Sequence, residues 1–176
     1  MARTPVVDPD QRPELAPLVA RLRGQRRGNL LHLSRVLLHS PGLAETWFEH
    51  VNAVRWKTSI DGRLREIVII RVAYLTDSAY AKKQHVPRLA VPEGVTLDEC
   101  EALADWRAAT TFSARECAAL AYTDAVTRDI ASPDDVYAEL ARHFDVQAIV
   151  ELTVMIGTYN MHGRLVRALA IDLEKD

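Results

Sequence analysis

"REIVIIRVAYLTDSAYAKKQH", residues 65–85, is the stretch from which this chain can be read. Its first half, with "DGRL" ahead of it, places Leu64, Ile67, Val68, Val72 and Leu75 at core positions and is apolar on most sides, which predicts a central, buried helix. Asp61 is placed to cap its start. Asp77 or Ser78 can cap a second, shorter helix, "SAYAKKQH", which gives way to a loop at Pro87 and Pro92. Within it Ser78, Ala81 and His85 stand at i, i+3 and i+7 and share one face.

The same periodicity extends outward in both directions. An extended tail through residue 12 is followed by "RPELAPLVARLRG", a helix stopped by Gly24, and by the helix "GNLLHLSRVLLHSPG". Pro41 suits the first turn of the next helix, whose apolar face is Leu43, Trp47, Val51 and Val54. Thr96 with Glu99, and Ser113 with Glu116, form capping boxes, while Ser132 before Pro133 predicts another helix start. The last helix, "DVQAIVELTVMIGTYNMHGRLVRALAI", is apolar over most of its circumference, with Gly157 and Gly163 as points of close approach; other helices or a partner subunit should cover it. No alternating strand pattern of useful length occurs. The expectation is an all-α chain with a single helical domain over residues 13–176.

Composition narrows the function classes. Hydrophobic residues at 48% and charged residues at 26% describe a globular protein, and 22 basic against 24 acidic side chains give a net charge of −2. That balance offers no electrostatic case for nucleic acid or an anionic membrane. The basic run "RLRGQRR" is read as solvated surface. No apolar run approaches the roughly 20 residues that span a bilayer, and the N-terminus has no signal-like hydrophobic core, so a cytoplasmic protein is expected. Cys100 and Cys117 are too widely spaced for a redox pair or zinc knuckle and read as buried or half-buried thiols. His32, His39, His50 and His143 form no metal-binding spacing, so no metal and no cofactor are expected.

Chemistry concentrates on two residues. Glu66 opens a mostly buried helix, where desolvation raises a carboxyl pKa unless the acid is paired. His85 is of the residue type that titrates near neutrality. If the two helices pack as a hairpin, acid and imidazole meet, with Ser78 or Tyr80 as hydrogen-bonding neighbours. Lys82 could hold a substrate carboxylate; Trp56, Tyr159, Asn160 and His162 could line the same pocket.

The stretch resembles the core of the carboxymuconolactone decarboxylase and alkyl hydroperoxidase D superfamily, whose redox members carry E-x11-C-x-x-C-x-x-x-H. Glu66 and His85 match that spacing, while Ser78 and Ala81 stand at the two cysteine positions. The similarity extends over roughly residues 40–170, including "FSARECAALAYTDAVTRD" and the last helix. It implies an oligomeric helical bundle, a homotrimer or a hexamer of trimers. It also implies thiol-free acid–base conversion of a small organic acid or lactone, with His85 and Glu66 catalytic and Ser78, Tyr80, Lys82 and Trp56 binding substrate. Cysteine-less relatives read something like S-x-Y-E-W-x-x-H, whereas this chain has Ala81 and Lys82 in place of the acid and the tryptophan. A changed substrate and a non-catalytic small-molecule-binding oligomer therefore both stay open. Peroxide reduction is disfavoured, because it needs a thiolate to attack and a second thiol to resolve.

Overall fold

Helices make up the ordered elements of the computed structural model, which describes residues 2–25 and 30–174, and no strand occurs among the described residues. By its internal contacts the chain separates into two compact units, Met1–Ala53 with Val166–Asp176, and Val54–Leu165.

The first unit holds α1 (Ala16–Gln25), α2 (His32–Leu37) and most of α3 (Pro41–Trp56). Arg26 and Arg27 of the basic run lie outside the described residues, as do Gly28 and Asn29 at the expected start of α2. Pro9–Gln11, where an extended tail was expected, and Pro13–Leu15, at the start of the expected first helix, form 3-10 turns, each led by a proline whose fixed φ suits a first helical position. Val7 is tied to Arg35 in both directions, Val7 N donating to Arg35 O at 3.2 Å and Arg35 Nε to Val7 O at 2.8 Å. In α3, Trp47, Val51 and Val54 are buried as expected, but Ala44 takes the inward position and Leu43 is 54% exposed.

The second unit is built on α4 (Gly62–Leu75), capped by the Asp61 carboxylate, which accepts from Leu64 N at 2.9 Å. Ile67, Val68, Ile69 and Ile70 are all fully buried, because α4 divides two cores. Val68, Ile69 and Val72 pack with Ala119 and Tyr122 of α7 (Ala114–Arg128), Leu140 of α8 (Asp134–Ala141), and Leu152, Met155 and Ile156 of α9 (Val146–Ala168). Ile67 and Ile70 pack with Ala90, Val95, Leu103, Trp106 and Cys100, the last from α6 (Leu97–Ala102). At roughly 1.5–3 kcal/mol for each fully buried aliphatic side chain, this helix anchors the unit. Arg71 breaks the apolar pattern yet is satisfied. Its Nε and Nη2 donate to the two Asp124 oxygens at 2.6 and 3.0 Å, and its Nη1 to Leu103 O and Ala104 O.

Both capping boxes form, and their glutamates share one cation. Arg63 Nη2 donates to Glu99 at 2.6 Å and its Nε to Glu116 at 2.7 Å, joining the starts of α6 and α7. Ser132 does not cap α8: Pro133 occupies the cap position, and Asp134 and Asp135 face the helix N-terminus with negative charge instead. Beyond α5 (Ala79–His85) the chain forms a π-helical turn, Val86–Ala90, and a 3-10 turn, Val91–Glu93, rather than a loop. Pro87 and Pro92 lack the N–H that a regular α-helix would use, and wider or tighter turns accommodate that loss. Gly163 is a point of close approach, since a Cβ there would stand 2.6 Å from Thr76 Oγ1; Gly157 has open space.

Candidate active site

The link between α4 and α5 sets the site. Asp77 turns the chain with a left-handed φ of 49°, and Ser78 N bonds back to Ala73 O at 2.8 Å, so α5 folds onto α4. The Ser78 hydroxyl caps α5, accepting from Ala81 N at 3.2 Å. This brings the last residue of α5 to the acid in α4. His85 Nδ1 and Glu66 Oε2 lie 2.6 Å apart, with Glu66 fully buried and His85 5% exposed.

Two arginines complete the cluster. Arg55 Nη2 donates to Glu66 Oε1 at 3.1 Å, and Arg65 Nε reaches the same oxygen at 3.4 Å. Arg65 also donates from Nη1 to Arg55 O at 3.1 Å and from Nη2 to Glu93 at 2.7 Å. Gly62 makes room for that Glu93 carboxylate, which a Cβ at residue 62 would meet at 1.6 Å. Burial pushes the Glu66 carboxyl upward, but the His85 hydrogen bond and the charges of His85, Arg55 and Arg65 outweigh it and hold Glu66 below the usual range. Glu66 is therefore an acceptor, Nδ1 of His85 carries the proton, and in the neutral ring Nε2 holds the lone pair.

Other carboxyls are lowered as well. Glu99 is brought down to about 2, chiefly by the Arg63 hydrogen bond. Glu116 and Asp124 fall despite burial, Glu116 through Ser113 and Arg63, Asp124 through Arg71 and Arg107. Folded-state values below the unfolded ones contribute stability that is present above the unfolded pKa and is lost as pH falls through the folded one. Urea midpoints are expected to hold from pH 7 to about 5 and to fall steadily between about pH 4.5 and 2; a flat profile over that window would contradict these pairings.

The remaining expected residues divide. Trp56, 60% exposed, lies against both guanidiniums, with Arg55 Cζ 4.9 Å and Arg65 Cζ 4.6 Å from its ring centroid. Tyr159 meets the His85 ring edge-on at 5.4 Å and stacks on His162 at 5.8 Å. Tyr80 is buried. Lys82 Nζ stands over the Tyr74 ring at 4.7 Å. Asn160 is engaged with Thr127, Ile156 O and Arg164. Cys100 is fully buried and its thiol is pushed up to about 11 by burial first; Cys117, half-buried, is also raised by burial. Neither is a thiolate near neutral pH. Among the described residues, no three His, Cys, Asp or Glu side chains are grouped to hold a metal ion, and no helix is long and apolar enough to cross a membrane. Arg55 and Arg65 were not singled out from sequence. The available signal was that each adjoins a residue that was, Trp56 and Glu66, and that a buried acid needs a counter-charge.

The family model described as carboxymuconolactone decarboxylase family matches residues 41–125. Uncharacterized protein YnjA of Escherichia coli (strain K12) is 33% identical over 118 residues, 66% of this chain and 64% of that protein, so the match spans less than two thirds of that relative's length. A solved structure of an AhpD-core, peroxidase-related protein from Ralstonia eutropha JMP134 superposes with a TM-score of 0.83 at 15% identity, covering 99% of this chain and 93% of that one. The debrominase Bmp8 in complex with 2,3,4-tribromopyrrole superposes with a TM-score of 0.80 at 20% identity, covering 96% and 90%. At these identities the structural likeness speaks for the fold alone.

Proposed function

Because the chain belongs to the carboxymuconolactone decarboxylase and AhpD-like superfamily and has Ser78 and Ala81 at the thiol positions, we propose that it performs thiol-free, cofactor-free acid–base chemistry on a small organic acid or lactone. The observation that carries this reading is the buried 2.6 Å pairing of an ionised Glu66 with His85 Nδ1. Glu66 fixes the tautomer, so Nε2 is the base. When Nε2 takes a proton from carbon beside a carbonyl, the electron pair moves onto the carbonyl oxygen, and the imidazolium that forms is stabilised by the carboxylate it faces. The same proton can then return to another carbon, giving isomerisation; where the substrate instead loses carbon dioxide from a carboxylate β to the carbonyl, the electron pair of the broken carbon–carbon bond forms the enolate, and an imidazolium protonated beforehand from solvent gives that enolate its proton, completing decarboxylation. Trp56, Tyr80 and Lys82 are assigned to substrate binding. Ser78 joins them, because a hydroxyl that accepts a capping bond keeps its own proton to donate.

Assembly into a homo-oligomer, a trimer or hexamer, belongs to the same proposal. It is supported by an exposed apolar stripe on α9, Val146, Val150, Val154 and Met161, which are 75, 57, 44 and 43% exposed and share one helix face. So does a cytoplasmic location. The fold is one that in Bmp8 takes a small aromatic ring.

One observation favours a second reading, a non-catalytic oligomer that binds a small molecule: the Ser78 hydroxyl is engaged as a cap and Ala81 brings no functional group. One experiment separates the readings. The wild-type protein and the Cys100→Ala, Cys117→Ser variant are each incubated with a panel of small carboxylic acids, lactones and alkyl peroxides in EDTA, with and without a dithiol, and products are followed by NMR. Conversion of an acid or lactone at the wild-type rate is expected. Binding without conversion supports the second reading, and peroxide turnover that needs a dithiol and disappears in the variant overturns the first.

A further inference from the structure

His85 stands at one end of a short segment whose other end carries Glu93, and adjacent residues of α4 hold both. Glu66 takes the imidazole at 2.6 Å, and Arg65 donates from Nη2 to Glu93 Oε1 at 2.7 Å. Between them run the π-helical turn Val86–Ala90 and the 3-10 turn Val91–Glu93, in which Pro87 and Pro92 have no N–H to contribute. The poorer hydrogen bonding of such turns gives the two ties to α4 a larger share in fixing the segment. The second tie depends on a missing side chain. Gly62 opens α4 one turn before Glu66, and a Cβ there would stand 1.6 Å from Glu93 Oε2 and 2.3 Å from its Cδ, so a larger residue would drive the Glu93 carboxylate elsewhere.

Charge shows what the second tie does for the first. Arg55 and Arg65 are two buried cations, and Glu66 and Glu93 match them one for one beside a neutral imidazole. Arg65 sets its three nitrogens on three acceptors, Glu66 Oε1 at 3.4 Å, Arg55 O at 3.1 Å and Glu93 Oε1 at 2.7 Å, and the bond to Glu93 is the shortest. With the Glu93 charge gone, Glu66 would be left as the one carboxylate facing Arg55, Arg65 and His85 together. Proton uptake at Nε2 would then carry the cluster from one excess positive charge to two, in a site where charge is poorly screened, rather than from none to one. We propose that Glu93 is a positioning residue of the active site: by holding Arg65 from its outer edge, it reserves Glu66 for His85. The inference rests on the acid–base reading of the site and deepens it by adding a residue that acts through Arg65 and Glu66 rather than on the reacting atoms.

The test uses the full-length protein without substrate, and follows the His85 ring resonances by NMR against pH in the wild type, Glu93→Gln and Gly62→Ala. Glutamine keeps an amide oxygen that can accept from Arg65, so Glu93→Gln removes charge alone; Gly62→Ala leaves both charges in the chain and drives them apart. Glu66, Arg55, Lys82 of α5, and Tyr159 and His162 of α9 are the same in all three proteins, so a change in His85 reports on the Glu93 tie. Positive charge left unmatched beside the ring disfavours its protonated form. In Glu93→Gln the His85 titration midpoint is therefore expected to move to lower pH by about half a unit, and the Nδ1–H resonance to move upfield as the bond to Glu66 weakens. Gly62→Ala should move both in the same direction, and it decides the matter if Glu93→Gln does not fold. A merely structural tie would lower the melting temperature and leave the titration alone, so a folded Glu93→Gln protein whose His85 titrates as in the wild type overturns the proposal. Because the readout is titration, full turnover by His85→Gln would sink the acid–base reading without altering this result.

Discussion

Glu66→Ala is expected to lower the stability of the fold by about 3–5 kcal/mol, the range for removing one partner of a buried charge pair. Glu66 is the fully buried carboxylate in a cluster with Arg55, Arg65 and His85, so its loss strands positive charge where water does not reach. Thermal unfolding should register a fall of roughly 6–20 °C at the 2–4 °C per kcal/mol that suits a chain of this size. The double variant Glu66→Ala, Arg55→Met should recover part of that loss, because the stranded charge leaves with the carboxylate. A single-variant loss under about 1 kcal/mol would mean that the cluster is not closed to solvent as described.

The site and the fold were legible to different depths. Spacing alone put Glu66 and His85 within reach once α4 and α5 formed a hairpin, because the capping residue Ser78 and the turn at Asp77 are written in the chain. The capping boxes at Thr96 and Ser113 were readable for the same local reason. What escaped was non-local. Arg55 and Arg65 are ordinary arginines in sequence, and nothing in a helical repeat states which arginine is drawn inward to a buried acid. Arg71 and Asp124, each inside a mostly apolar helix, likewise became intelligible only as a pair. Ser132 and Leu43 failed in another way. Each fitted a local pattern, but Pro133 occupied the cap position of α8, and Ala44 took the inward place in α3.

The proposed function rests on the imidazole of His85. Glutamine at that position retains an N–H that can donate to Glu66, so His85→Gln should unfold within a few degrees of the wild type, with helicity unchanged. It cannot take a proton at a ring nitrogen. Removal of a positioned general base costs about 10²–10⁴-fold in rate, and KM should change far less than kcat, because the imidazole acts on the proton in flight rather than on the bound carboxylate. The measurement that bears most directly on the account is turnover of the converted acid or lactone by His85→Gln beside its melting curve. The account predicts a rate reduced by at least about a hundredfold in a protein that melts like the wild type; a folded His85→Gln protein that retains wild-type turnover would contradict it.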